Sequence, residues 1–232
     1  THESVFCARP TEHPYQVSNW SEMKDYYDPN DVIRAAAMMV SVSDQFKGNN
    51  NFEYDLVDIV RQAIAEKGRL TEKVVEAAFA AGDKKLYKDA SDRFLRLILL
   101  QDELLATRPE FKVGTWIARA RSLGNTSEEK DLYEWNARVQ ITTWGNRLAA
   151  DEGGLRDYAH REWNGILKDF YYMRWKTWFD YQTRLLDGKK TAAIDFYAIE
   201  EPWTKQTNPY SNEPEGDCIP TVQRIFAEIF GK

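Results

Sequence analysis

The stretch of residues 133–145 mixes bulky aromatic rings with polar side chains on one predicted helix. Amide and guanidinium groups belong to Asn136, Arg138 and Gln140, and an indole follows at Trp144. An indole offers a flat apolar face to the C–H side of a sugar ring, while amide and guanidinium groups make the directional hydrogen bonds that hydroxyls require. The mixture is unusual for a helix buried purely in the core, and it would suit carbohydrate binding. The alternative is that Arg138 and Gln140 join helices internally and Trp144 packs in the core.

Acidic residues are too numerous for spacing alone to identify a catalytic pair. The 37 Asp and Glu residues place many carboxylates at helical spacings, and most such residues form solvated faces. Glu134 and Asp157 lie near aromatic residues and could face a sugar. The alternative makes them surface acids or partners of Arg138 and Arg156, and neither is assigned a catalytic role.

Metal and cofactor sites are not expected from the residues present. The chain has only three histidines and two cysteines, and their spacing does not match a zinc site. Asp157 and His160 resemble half of a carboxylate-x-x-His diiron signature, but the second pair that such a site requires is missing. Two cysteines exclude a disulfide framework, and a single bridge between Cys7 and Cys218 is possible but not indicated.

Composition narrows the range of partners. The 232 residues carry 31 Lys and Arg against 37 Asp and Glu, a formal charge of -6, which is the wrong sign for a surface that follows phosphates. No apolar run approaches the ~20 residues of a membrane-spanning helix. Neither nucleic acid binding nor a membrane span is therefore expected. With only 12 Gly and 8 Pro, the chain has few helix breakers, which favours long helices over many short strands.

Helical periodicity predicts an all-α fold, an irregular multi-helix bundle that must position these side chains. Residues 1–27 are predicted to form an irregular, extended lead-in, and residues 28–232 the helical domain. The predicted helices span approximately residues 28–46, 52–81, 86–107, 113–123, 126–144, 155–186, 191–201 and 220–230. The second and third should pair antiparallel across Gly82. The helix over residues 155–186 should be the longest, with the aromatic residues from Trp163 onward in the core.

Several motifs occur in a definite order along the chain. The sequence Asn-Ala-Arg-Val-Gln-Ile-Thr-Thr-Trp-Gly occupies residues 136–145, and Asp-Tyr-Ala and Tyr-Tyr-Met-Arg-Trp follow at residues 157–159 and 171–175. Upstream segments that fit the same series lie at residues 3–10, 52–63 and 111–121. In this order the motifs resemble the C-terminal helical domain of glycoside hydrolase family 89, the alpha-N-acetylglucosaminidases. The resemblance covers nearly the whole chain.

The resemblance implies a parent enzyme that removes terminal alpha-linked N-acetylglucosamine from glycans such as heparan sulfate, with retention of configuration and without a cofactor. In that family the two catalytic glutamates lie in a (β/α)8 barrel that precedes the helical domain. The barrel is therefore an expected partner, residues 1–27 are the expected lead-in from it, and this chain alone is expected to be inactive. A secreted, periplasmic or lysosomal location is implied as well.

The resemblance also implies how the helical domain takes part in the site. It should pack on the barrel and complete the substrate pocket, with Trp144 touching the sugar and Arg138 supporting that indole. Asn136, Gln140 and Tyr158 complete the set of expected substrate-binding residues. Two alternatives remain, a free-standing helical module that binds carbohydrate or protein without catalysis, and a purely architectural domain that touches no ligand.

Overall fold

Eight α-helices follow one another in the computed structural model, which describes residues 4–11, 27–207 and 209–231. They are α1 (Pro29–Val42), α2 (Asn50–Ala81), α3 (Lys84–Ala106), α4 (Val113–Arg121), α5 (Ser127–Gln140), α6 (Tyr172–Leu186), α7 (Phe196–Thr204) and α8 (Cys218–Phe230). Residues 1–3 and 12–26 of the predicted lead-in lie outside the described residues. The described ranges contain no β-strand, only one isolated bridge, so the predicted all-α bundle is confirmed. None of the helices in these ranges has both the length and the apolar character needed to cross a membrane.

Side-chain caps determine where several helices begin. The carboxylate of Asp28 accepts a hydrogen bond from the backbone N–H of Asn30, and Pro29 occupies the first turn, where its missing N–H would have had no partner. Thr126 and Glu129 form the reciprocal capping box predicted for α5. These local signals explain why the predicted and observed starts of α1 and α5 agree closely.

The hairpin of α2 and α3 carries the aromatic centre of the core. The turn between the two helices uses Gly82 at φ +67°, a left-handed conformation that glycine adopts readily. Phe94 on α3 lies 4.5 Å from Trp175 on α6, measured between ring centroids, and both rings are buried. Helix α8 packs against both α2 and α3. The observed hairpin is the antiparallel pair that the sequence predicted.

The prediction of one long helix over residues 155–186 is wrong in its first part. Residues 153–165 form a loop, and one π-helical turn (Leu167–Tyr171) then leads into α6. The backbone N–H and the backbone carbonyl of Asn164 both form hydrogen bonds with the backbone around the start of α4. Gly165 has a φ of +92°. This conformation is incompatible with a continuous helix, so α2 is the longest helix instead.

Asp102, a buried residue of α3, caps the helical segment that follows the loop. Its carboxylate accepts hydrogen bonds from the backbone N–H groups of Gly165 (2.6 Å) and Lys168 (3.2 Å) and from the side-chain amide of Asn164 (2.8 Å). Burial raises the pKa of Asp102 to about 6, although these hydrogen bonds oppose the shift. A cap supplied by a different helix leaves no local sequence signal, which is why the periodicity is misleading here.

Two other helix ends differ from the prediction. Helix α5 ends at Gln140 rather than near residue 144, because the backbone N–H of Trp144 turns back to the carbonyl of Val139 at 2.8 Å. Helix α7 is shifted toward the C-terminus relative to the predicted 191–201, because Asp195 caps it by accepting from the N–H of Ala198.

The described part of the lead-in is integrated into the core. Val5–Cys7 form one 3-10 turn whose side chains are all buried. The indole N–H of Trp175 donates to the carbonyl of Phe6 at 3.1 Å. The Phe6 ring lies against Gly68 in the middle of α2, where an added Cβ would be 2.5 Å from two ring atoms. Gly68 is therefore required by close packing, a reason that helical periodicity alone does not reveal.

Replacing Gly68 with Ala should destabilise the domain by about 1–2 kcal/mol, although Ala is normally about 1 kcal/mol better than Gly inside a helix. The new methyl group would displace the ring of Phe6, which is fully buried. Urea unfolding followed by circular dichroism measures the effect. In a Phe6→Ala background the same replacement should become neutral or stabilising, and persistent destabilisation there would contradict the packing argument.

Candidate functional site

A cleft of about 300 Å³ lies where the end of α5 meets α4 and the loop of residues 141–165. It is lined by Trp116, Gln140, Ile141, Trp144, Tyr158, Ala159, Arg161 and Trp163. Aromatic faces with a few polar groups are typical of sites for small organic ligands. None of these lining residues carries a carboxylate, so the cleft offers binding groups rather than an acid and base pair.

Trp144 presents an aromatic face to this cleft from a strained backbone position. Its φ of +63° lies in the left-handed region, which costs a residue other than glycine about 1 kcal/mol or more. The side chain is 38% exposed, and its ring centroid lies 5.1 Å from that of Tyr158. Strained residues with accessible side chains cluster at functional sites, where the surrounding structure holds them.

Tyr158 is positioned by the residue before it. Asp157 also has a left-handed backbone, with φ +59°, and its N–H donates to the carbonyl of Thr142 at 2.8 Å. Both carboxylate oxygens of Asp157 accept hydrogen bonds from Arg174, each at 3.0 Å. The phenol of Tyr158 is 59% exposed and therefore depends on this anchored backbone for its orientation.

Arg174 connects the site loop with the lead-in and with α7. Its fully buried guanidinium donates to the carbonyl of Cys7 at 3.1 Å, and its Nε lies 2.9 Å from a carboxylate oxygen of Glu200. Glu200 accepts a hydrogen bond from the Nε of Arg9 at 2.9 Å. Burial alone would lower the pKa of Arg174, but the charges of Asp157 and Glu200 outweigh it and raise the pKa. The guanidinium of Arg174 therefore stays positively charged where the site loop, the lead-in and α7 meet.

Arg138 lies beneath the cleft rather than in it. Its side chain is fully buried, and its Nε and Nη2 atoms donate to one carboxylate oxygen of Glu134 at 2.9 and 2.7 Å. The guanidinium lies 4.7 Å from the ring centroid of Trp203 on α7, within the range of a cation–π contact. This buried position is compatible with the supporting role that the resemblance implied for Arg138, rather than with direct contact to a substrate.

The two acids singled out from the sequence are both buried in ion pairs. Glu134 pairs with Arg138, which is one of the partners expected for it. Asp157 pairs with Arg174 rather than with Arg156, whose guanidinium donates to a backbone carbonyl instead. Neither carboxylate lines the cleft.

The remaining sequence-predicted residues are divided between the cleft and its surroundings. Gln140 lines the cleft together with Trp144 and Tyr158. Asn136 is exposed one helical turn earlier on α5 and lies outside the lining. The structure therefore brings together three of the five predicted residues, and it places Asn136 on the neighbouring surface and Arg138 below.

Comparison with known proteins places this chain in a family. The family model described as the alpha-N-acetylglucosaminidase (NAGLU) C-terminal domain matches residues 1–228. The chain belongs to this family. The resemblance to glycoside hydrolase family 89 that the motifs indicated is therefore confirmed.

Solved structures of a family 89 glycoside hydrolase from Clostridium perfringens share the fold of this alpha-N-acetylglucosaminidase domain. One, in complex with PUGNAc, has a TM-score of 0.92 and 36% sequence identity over 98% of this chain. Another is a variant with two Glu-to-Gln substitutions in complex with its substrate GlcNAc-alpha-1,4-galactose, with a TM-score of 0.91 and 36% identity over 97% of this chain. This chain covers 26% of each of those proteins.

The human alpha-N-acetylglucosaminidase is a more distant relative of this domain. It is 26% identical over 215 residues, which amount to 88% of this chain and 28% of the human protein. The chain thus spans roughly a quarter of the relatives it matches.

Five residues that line the cleft were not among the predicted site residues: Trp116, Ile141, Ala159, Arg161 and Trp163. Trp116 closes the side toward α4, and its indole N–H donates to the carbonyl of Ala137 at 2.9 Å. The Arg161 guanidinium lies 5.4 Å from the ring centroid of Trp163. The spacing of Trp163 predicted a core position because it fitted a helix that the structure does not contain. One signal in the sequence points to Trp116, which belongs to one of the family motifs, at residues 111–121.

Both cysteines of the domain are buried and unbridged. Burial raises the pKa of the Cys7 thiol well above its usual value and that of Cys218 to about 11, so both thiols are protonated at neutral pH. Within the described ranges, no three His, Cys, Asp or Glu side chains come close enough together to hold a metal ion.

Proposed function

We propose that the chain is the helical domain of an exo-acting, retaining alpha-N-acetylglucosaminidase that hydrolyses terminal alpha-linked N-acetylglucosamine from glycans such as heparan sulfate. The observation that carries the proposal is the aromatic cleft of Trp144, Tyr158 and Gln140 in a domain of this family. The related bacterial enzyme of the same fold binds GlcNAc-alpha-1,4-galactose as its substrate. The side chains of the cleft match the groups of such a sugar. Aromatic faces pack against its C–H groups, and an amide can donate hydrogen bonds to its polar substituents or accept hydrogen bonds from them.

In this proposal the bond-breaking groups belong to polypeptide outside this chain. A retaining glycosidase needs two carboxyl groups ~5–5.5 Å apart, one as nucleophile and one as acid and base. The cleft lining contains no carboxylate, and the nearby Glu134 and Asp157 are engaged in buried ion pairs. Two glutamates of a (β/α)8 barrel would supply the chemistry, without a cofactor. The barrel would pack on this domain, in an enzyme that is secreted, periplasmic or lysosomal.

Within that pocket each side chain has a distinct role. Trp144 stacks on the terminal sugar, and Tyr158 extends the aromatic wall. Gln140 hydrogen-bonds to the sugar from the cleft, and Asn136 does so from the adjoining surface when the barrel is in place. Arg138 supports the end of α5 from below through Glu134 and Trp203 and does not touch the sugar.

Hydrolysis of an aryl alpha-N-acetylglucosaminide by the complete protein, compared with this 232-residue chain alone, tests the proposal. The complete protein should hydrolyse the substrate and release the alpha anomer first, as followed by proton NMR, and the chain alone should be inactive. Hydrolysis by the chain alone would place the catalytic carboxylates here. Initial release of the beta anomer would contradict a retaining mechanism.

A free-standing carbohydrate-binding module is the second candidate, because the cleft already combines three indoles with the amide of Gln140. Such a module should bind N-acetylglucosamine without a barrel. Titration of the isolated chain, followed by tryptophan fluorescence, separates the two candidates. Submillimolar affinity would favour the module, while weak or absent binding is expected of half a pocket.

A further inference from the structure

A groove of about 370 Å³, which shares no lining residue with the cleft, lies between α2 and α3. It is lined by Lys67, Leu70, Thr71, Val74, Leu86, Asp89, Ala90 and Arg93. Its apolar side chains include Val74 on α2 and Leu86 on α3, which are both exposed. The volume lies within the ~300–1,000 Å³ typical of sites for small organic ligands. The groove is therefore large enough for a ligand that buries an apolar group against these side chains.

Two cationic side chains, the partly buried Lys67 and the exposed Arg93, face this groove without a counter-ion. In the described part of the chain neither forms an ion pair, although Asp89 also lines the groove. A neighbouring cation on α3, Lys88, does pair with Asp92. Burial and the nearby charge of Arg93 both lower the pKa of Lys67. An anion bound between the two side chains would relieve this repulsion.

We propose that this groove binds a small organic anion with an apolar tail, such as the carboxylate of a fatty acid. The Lys67 ammonium and the Arg93 guanidinium hold the carboxylate through charge-assisted hydrogen bonds. The side chains of Leu70, Val74 and Leu86 contact the tail and remove its apolar surface from water. Because the chain carries a formal charge of -6, its overall charge does not attract an anion, and binding depends on these local groups.

Titration calorimetry of the complete protein with octanoate, octanamide and acetate tests the groove. Octanoate carries both the charge and the tail, octanamide has the tail without the charge, and acetate has the charge with almost no tail. Octanoate should bind with a Kd below about 1 mM, and each of the other two at least about tenfold more weakly. Lys67→Gln and Arg93→Gln should each raise the Kd for octanoate about tenfold, the size expected for one charge-assisted hydrogen bond.

Arg184→Gln is the matched control, since Arg184 is exposed on α6 outside the groove and its loss changes the net charge equally. This control should leave the Kd for octanoate unchanged. Equal binding of octanoate and octanamide, or an unchanged Kd in both groove variants, would overturn the proposal. Cosedimentation with phosphatidylglycerol vesicles that is lost in Lys67→Gln, without binding of octanoate, would also overturn it and assign the groove to a membrane surface. Since none of these measurements involves hydrolysis, their outcome is independent of the proposed function.

Discussion

Replacing Trp144 with Ala in the complete protein is expected, under the proposed function, to lower kcat/KM for an aryl alpha-N-acetylglucosaminide by about 10- to 100-fold. The loss corresponds to about 1.4–2.8 kcal/mol of transition-state stabilisation, the scale of an aromatic face removed from a sugar ring. Trp135→Ala is the matched control, because Trp135 is 45% exposed on α5 but does not line the cleft. Steady-state kinetics measure both variants. An unchanged KM and kcat for Trp144→Ala, with only lower thermal stability, would favour a purely architectural domain.

Trp144→Gly separates the indole from the backbone that carries it. Glycine adopts the left-handed conformation at this position without the penalty that alanine retains. The Gly variant should therefore be about 1 kcal/mol more stable than the Ala variant, while both lose activity to a similar extent. If activity instead followed stability across the two variants, the effect of Trp144 would lie in folding and not in substrate contact.

Replacing Arg174 with Met should reduce the free energy of unfolding by about 3–5 kcal/mol. Removing the guanidinium leaves the carboxylate of Asp157 buried without its partner and deprives Glu200 of one of two cations. A drop in melting temperature of about 10 °C or more is expected for a domain of this size. The KM of the complete enzyme should also rise, because Asp157 orients Tyr158.

Two comparisons distinguish this loss from a general effect of removing an arginine. Arg96→Met breaks a similar two-point contact, to Glu228 at 2.9 and 3.2 Å, but that pair is exposed and should contribute under about 1 kcal/mol. Adding Asp157→Asn to Arg174→Met removes the uncompensated charge and keeps a residue type that tolerates a left-handed backbone. The double variant should recover part of the lost stability. Equal losses from Arg96→Met and Arg174→Met would contradict the importance of burial.

Local sequence signals are sufficient for most of the fold. The Asp28 cap, the Thr126 capping box and the glycine at residue 82 each depend on neighbours within a few residues, and all three mark observed helix ends. The failure at residues 153–165 has a different origin. There the backbone is held by Asp102, more than fifty residues away in sequence, and that contact overrides a helical spacing of aromatic residues.

The candidate site is predictable from sequence where its residues fall within a family motif, and not elsewhere. Trp144, Gln140 and Tyr158 all belong to such motifs, and they line one cleft. Arg138 belongs to the same motif as Trp144 but faces the interior, because Glu134 one turn earlier holds its guanidinium. Arg161 also lines the cleft but lies outside the family motifs, so it is not predictable in this way.

Because the lead-in is buried in the core, it is expected to stay with the helical domain when domains are exchanged between proteins in evolution. Phe6 fills a notch in α2 and Cys7 is bonded to Arg174, so the first described segment is as interior as any helix. A gene fusion or exon boundary placed just before α1 would divide the core and remove the ring that packs against Gly68. The exchangeable evolutionary unit is therefore the helical bundle together with the short stretch that enters it.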